Sequence, residues 1–163
     1  MSQSVTVVCG DAREADDDPR IDLERWQALA GAALSTEGAG GELTLTFVDR
    51  DEIAVLNEEH MGASGPTDVL SFPLDDESVP GVPTLLGDVV LSPAVAAEQA
   101  AGHAGTLDDE IALLVVHGVL HILGHDHADP DEAETMRARE RDLLEQHHWN
   151  GPAPQGFRQL HPG

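Results

Sequence analysis

Between Glu42 and Val48 the chain reads ELTLTFV, with polar and apolar residues alternating at the period of two that a half-buried strand requires. Upstream, Ser4–Cys9 (SVTVVC) is rich in β-branched residues and stops at Gly10, which predicts a first strand. The acidic stretch from Asp11 to Asp18 is expected to be a solvated loop. Ile21, Trp26, Leu29, Ala30, Ala33 and Leu34 then recur near helical spacing, which predicts a helix over 21–34 ended by the glycines from Gly38 to Gly41. Asp49 and Glu52 can form a capping box for a helix reaching about Met61. The Gly and Pro content of 62–67 predicts a turn, followed by a short strand, Val69–Phe72, stopped by Pro73. After an acidic, proline-rich loop, Leu74–Pro83, a further strand is expected over Leu85–Leu91. Ser92 with Pro93 has the chemistry of a helix start, and that helix is expected to run to about His103.

The most apolar segment follows. Thr106 precedes Asp108, Asp109 and Glu110, carboxylates that favour the positive end of a helix, so a helix is expected over Leu107–Leu123 with Gly124 ending it. Asp129, Pro130 and Glu132 repeat the cap pattern for a last helix through about Gln146. The pattern as a whole is α+β: a small mixed β-sheet flanked by about five helices, in one domain over 1–150, with the Pro/Gly-containing 151–163 expected to be a mobile tail.

Composition narrows the function classes. There are 31 acidic residues against 8 basic ones, every basic residue being Arg, for a formal charge of -23 at pH 7. Nucleic-acid affinity comes largely from neutralising phosphates with Lys and Arg, so this chain is not a general polyanion binder. RNA would need a local patch or a partner to supply attraction. The longest apolar stretch, Ile111–Leu123, is shorter than the roughly 20 residues a spanning helix needs and is interrupted by two histidines, so it is expected to be a buried core helix. Cys9 is the single cysteine, so no internal disulfide can form. With no signal-like N-terminal pattern, a cytoplasmic location is expected.

The candidate chemistry lies in HGVLHILGHDH, residues 117–127. His117 and His121 stand four apart on a predicted helix, where side chains share a face with Cβ atoms about 5–6 Å apart. Imidazole binds zinc at about 2.0–2.1 Å, so residues on adjacent turns can chelate one ion. Gly124 can adopt the left-handed conformation that turns the chain back and brings His127 to the same ion. Three ligands leave a fourth position for water or substrate, the mark of a catalytic rather than a structural site. Zinc is the expected metal, one per chain, with Asp126 able either to accept a hydrogen bond from an imidazole or to cap a following turn. The spacing HxxxHxxGxxH is shared with metzincin proteases, but their general base follows the first histidine, where this chain has Gly118. Spacing alone therefore indicates a metal hydrolase and leaves its substrate open.

HGVLHILGHDH, with GPTDVLSFP at 65–73 and LLGDVVLS at 85–92, resembles the bacterial YbeY family, the similarity running from about Leu43 to Gln146. The resemblance implies an α+β fold and a single-strand-specific, metal-dependent endoribonuclease acting in ribosomal RNA maturation and ribosome surveillance. Its partners would be ribosomal RNA and the small ribosomal subunit. His117, His121 and His127 take the place of the family's metal ligands. Two positions depart from it: His60 and Met61 stand where many relatives have an aromatic residue and Arg, and His125 stands where relatives usually have Tyr.

Asp68, Ser71 and Arg137 are the candidate substrate contacts. Asp68 and Asp88 lie by predicted strand ends, where each can orient a ligand or accept a proton, or serve as an ordinary turn residue. Arg137, Arg139 and Arg141 form the densest basic cluster and can attract phosphate, or pair with nearby Glu134, Glu140 and Glu145 as a surface network. The expectation is a zinc endoribonuclease, against a metal-containing assembly factor without catalysis and a metzincin-like protease.

Overall fold

Alternation in one strand sets the layers. The computed structural model describes residues 5–13, 20–74, 84–125 and 128–159. In β2 (Gly41–Phe47), Leu43, Leu45 and Phe47 are fully buried while Thr44 and Thr46 point to the other face and are half-buried. Burying three such side chains contributes about 1.5–3 kcal/mol each, which fixes the register, because a one-residue slip would reverse every one of them. β2 pairs in parallel with β1 (Val5–Asp11) and with β4 (Leu85–Leu91), and β4 pairs antiparallel with β3 (Val69–Pro73), giving the mixed order β1-β2-β4-β3. The α+β expectation is met by this sheet and five helices.

On the face carrying Leu43, Leu45 and Phe47 lie α1 (Leu23–Thr36) and α4 (Leu107–Ile122), with α5 (Pro130–His147) packed on α4. α4 is the centre of the fold: every residue from Glu110 to Leu120 is buried. A helix apolar all round needs neighbours all round, and α1, α5, β3 and β4 supply them. The opposite face holds a smaller cluster of Val48, Ile53, Leu70 and Val90, covered by α2 (Arg50–Met61).

Several boundaries differ from the pattern-based ones for identifiable reasons. β1 continues past Gly10 to Asp11 because Asp11 still has a ladder partner in Phe47. α1 starts two residues late because Asp22 caps it, accepting from Arg25 N at 3.3 Å. Asp49 occupies the N-cap of α2 without a side-chain cap bond, so the expected capping box does not form. The helix after Ser92, α3, ends at Gln99 and tightens into a 3₁₀ turn over Ala100–Gly102. The caps at Thr106 and Asp129 form as expected, accepting from Asp109 N at 3.1 Å and Glu132 N at 2.9 Å. Within residues 151–159, part of the segment expected to be a mobile tail, Phe157 meets Trp149 edge-on at 4.8 Å, and Arg158 N donates to His103 O at 3.0 Å. Most of the two acidic loops, 14–19 and 75–83, and residues 160–163 lie outside the described residues.

Candidate metal centre and adjoining cleft

The spacing of four along α4 brings the two imidazoles together. The rings of His117 and His121 meet edge to face with centroids 4.4 Å apart, at an interplanar angle of 87°. His117 is 1% exposed, and its Nδ1 lies 2.5 Å from Oε2 of Glu140, itself 1% exposed on α5. An ionised carboxylate can only accept here, so Nδ1 carries the hydrogen and Nε2 is the nitrogen whose lone pair lies in the ring plane, the one able to ligate. Histidines that bind metals usually donate their other ring N–H in this way, which fixes tautomer and orientation.

Immediately after His121 the helix closes with a Schellman motif. Gly124 N donates to His121 O at 3.0 Å and His125 N to Leu120 O at 3.0 Å, with Gly124 at φ 100°. The predicted left-handed glycine is therefore present, and the chain turns back at this point. Asp126, expected either to accept from an imidazole or to cap a turn, and His127, the expected third imidazole, lie outside the described residues. Among the described residues no three His, Cys, Asp or Glu side chains converge on one point. The pair on α4, with one member oriented by a buried carboxylate, fits two positions of an imidazole site for a borderline metal such as zinc.

His121 borders a cleft of about 460 Å³ together with Asn57, Thr67, Ser71, Met61 and His125. Asn57 Nδ2 donates to Gly65 O at 2.9 Å and so holds the turn that forms one wall. Ser71 faces α4 across the cleft floor and donates to Gly118 O at 3.3 Å. That contact is possible because Gly118 has no side chain: a Cβ there would lie 2.6 Å from Val89 Cγ1. The same closeness leaves no room for a carboxylate at 118, so the position a metzincin gives to its general base is filled here by the sheet.

The other sequence candidates are placed as follows. Asp68, expected to contact substrate, is fully buried; its carboxylate accepts from Gln99 Nε2 and Val69 N, both at 2.8 Å, and so anchors the start of β3. Burial pushes its pKa up, partly opposed by these bonds, with Glu110 adding a further upward push. Glu110, likewise buried, accepts from the same Gln99 nitrogen at 2.7 Å. Asp88 is half-buried on the opposite face of the sheet, beside a separate groove of about 1020 Å³. Arg137 is exposed on α5, and among the described residues it does not line the cleft. Arg139 pairs with Glu37 at 2.6 Å and Arg141 with Glu145 at 3.8 Å. Glu140, read as a surface partner for these arginines, is instead the buried acceptor for His117. Its spacing with Met136, Leu143 and Leu144 on the buried face of α5 is the signal that could have revealed this. Cys9 has its thiol pushed up to about 11 by burial and by Asp11, so it is a poor nucleophile.

Comparison with known proteins bears on this arrangement. The family model described as "Endoribonuclease YbeY" matches residues 12–148, reaching further toward the N-terminus than the three motifs suggest. An "Endoribonuclease YbeY" of Salinispora tropica is 46% identical over 136 residues, covering 76% of this chain and 87% of that protein. One of Mycolicibacterium vanbaalenii is 47% identical over 126 residues, covering 72% and 67%. The solution structure of TM1509 from Thermotoga maritima shares the fold, with a TM-score of 0.56 at 23% identity over 93% of this chain and 99% of that one. With the family model spanning all but the ends of the chain, and these two relatives 46% and 47% identical over most of it, the chain belongs to the endoribonuclease YbeY family.

Proposed function

We propose that this chain is a zinc-dependent, single-strand-specific endoribonuclease acting in 16S ribosomal RNA 3′-end maturation and ribosome quality control in the cytoplasm. The observation that carries the reading is the His117–His121 pair, one ring fixed by Glu140, at the edge of a cleft. At about 460 Å³ that cleft lies within the roughly 300–1,000 Å³ common for small-ligand sites, which suits a nucleotide and its phosphate. His117, His121 and His127 would hold the ion. Bound there, zinc would supply Lewis acidity toward a phosphate oxygen and would lower the pKa of a coordinated water.

The chain's own groups divide the remaining work. Glu140 holds the hydrogen on His117 Nδ1 and so makes Nε2 the nitrogen able to ligate. Ser71 and Thr67 line the cleft where they can orient a phosphate or a ribose hydroxyl. Asp126 is proposed to orient an imidazole. Arg137 would act on RNA only outside the cleft, as an exposed charge on α5. With a formal charge of -23 the protein has little general pull on RNA, so local attraction falls to the metal and to the ribosomal particle on which it acts.

The test is metal content together with cleavage of 16S-derived RNA fragments by the wild type and by His117→Ala. Stoichiometric zinc and cleavage lost in the variant are expected, and equal cleavage by both proteins ends the proposal. The acidic charge and the uncharged Met61 at the cleft favour a second reading, a ribosome-assembly factor that binds without cutting. Such a protein would co-sediment with small-subunit particles and leave RNA intact with every divalent metal.

A further inference from the structure

The carboxylate that orients His117 is completed from outside the family's own span. Glu140 is buried, and a buried carboxylate is destabilising unless both oxygens find donors. Its Oε2 takes the His117 Nδ1–H at 2.5 Å. Its Oε1 accepts from Nε2 of Gln159 at 3.1 Å, and the same amide nitrogen donates to Arg137 O at 2.8 Å. Both amide hydrogens of Gln159 are therefore assigned, one to the α5 backbone and one to the carboxylate, which leaves the side chain a single orientation.

Gln159 stands eleven residues beyond the end of the family match at 148. The segment that brings it back is built rather than loose. Trp149 Nε1 donates to Asp109 Oδ1 at 2.9 Å, Ala153 N to Glu145 Oε2 at 3.0 Å, and Arg158 N to His103 O at 3.0 Å, while Phe157 packs edge-on against Trp149. The segment thus bridges the first turn of α4, the loop before it and α5, the elements that carry His117 and Glu140.

We propose that residues 149–159 form a strap whose Gln159 is a positioning residue for the metal site, acting through Glu140 on the His117 imidazole. The inference rests on the reading of His117 as a metal ligand. Replacing the amide removes this donor from Oε1 and loosens the hold on Glu140, so that His117 Nδ1–H has a less firmly placed acceptor. Substitution of a partner directly bonded to a ligand typically lowers metal affinity by about 10–100-fold. One bond further out, about 3–10-fold is expected for Gln159→Ala.

The experiment uses the full chain and measures zinc affinity by competition with a chromophoric chelator, for the wild type, Gln159→Ala and Gln155→Ala. Gln155 is an exposed residue of the same strap and serves as the control. A second readout, free of metal, is the His117 Nδ1 proton resonance, expected far downfield in the wild type and shifted or broadened in Gln159→Ala alone. Weaker zinc binding and a changed resonance in Gln159→Ala, with Gln155→Ala unchanged, support the strap. Wild-type affinity in Gln159→Ala, in a chain that takes up zinc, overturns this inference alone. Absence of zinc uptake by the wild type overturns the metal reading and this inference with it.

Discussion

Replacing Gly118 by Ala should destabilise the protein, although a helix interior ordinarily gains about 0.8–1.0 kcal/mol from that change. The new Cβ would stand 2.6 Å from Val89 Cγ1 and 3.2 Å from Cγ2, well inside the roughly 3.5–4.0 Å at which carbon atoms pack best. Val89 cannot easily yield. It is fully buried in β4, which is paired on both sides by β2 and β3, and its branched Cβ restricts rotation about χ1. Overpacking of this kind costs about 1–3 kcal/mol, and part of the propensity gain offsets it. The expected net loss is about 1–2 kcal/mol, lowering Tm by about 2–8 °C for a chain of this size. Urea unfolding of the metal-free protein measures it, with an unchanged m-value as the check that only stability moved. In a Val89→Ala background both clashing carbons are gone, so Gly118→Ala should there be neutral or stabilising, a coupling of at least about 1 kcal/mol. If Gly118→Ala is as stable as the wild type with Val89 intact, the close approach of α4 to the sheet is not what selects glycine at this position.

Three further outcomes follow from the geometry. Gly124→Ala meets no atom within 4 Å but places a side chain at φ 100°, so it should lose about 1–2 kcal/mol in thermal unfolding, whereas Gly102→Ala, equally open and without positive φ, should lose far less. Glu140→Ala should weaken zinc binding by about 10–100-fold in chelator competition, and unaltered affinity would show that His117 needs no fixed acceptor. Asp68 has a folded pKa raised by burial above its ordinary 3.8, so it binds a proton more readily folded than unfolded. Its contribution to stability is complete below 3.8 and is lost as pH rises through the raised folded value. Urea titrations across that window should show the wild type gaining on Asp68→Asn as the pH falls, and a pH-independent difference would contradict the assignment.

Local order along the chain was sufficient for the elements that depend on near neighbours. The strand Leu85–Leu91 and the helix from Leu107 follow from composition, periodicity and a cap within three residues, and the left-handed Gly124 follows from its place after the last apolar turn. The pairing of His117 with His121 is equally local, because a rise of 1.5 Å per residue puts positions four apart on one face of any α-helix. The remaining features depend on which surfaces meet. Glu140 reads as one charge among many on a polar helix until α5 packs on α4 and seals it against a ring 23 residues away. Gly118 reads as a catalytic base left out until the sheet fills the space. The strap reads as a polar, proline-containing end until Phe157 finds Trp149 and Gln159 reaches Glu140. Helices and strands are set by interactions a few residues long, so the sequence displays them directly. The acceptor, the close contact and the strap are set by burial between segments distant in sequence, where only packing decides which polar group must be satisfied and by what.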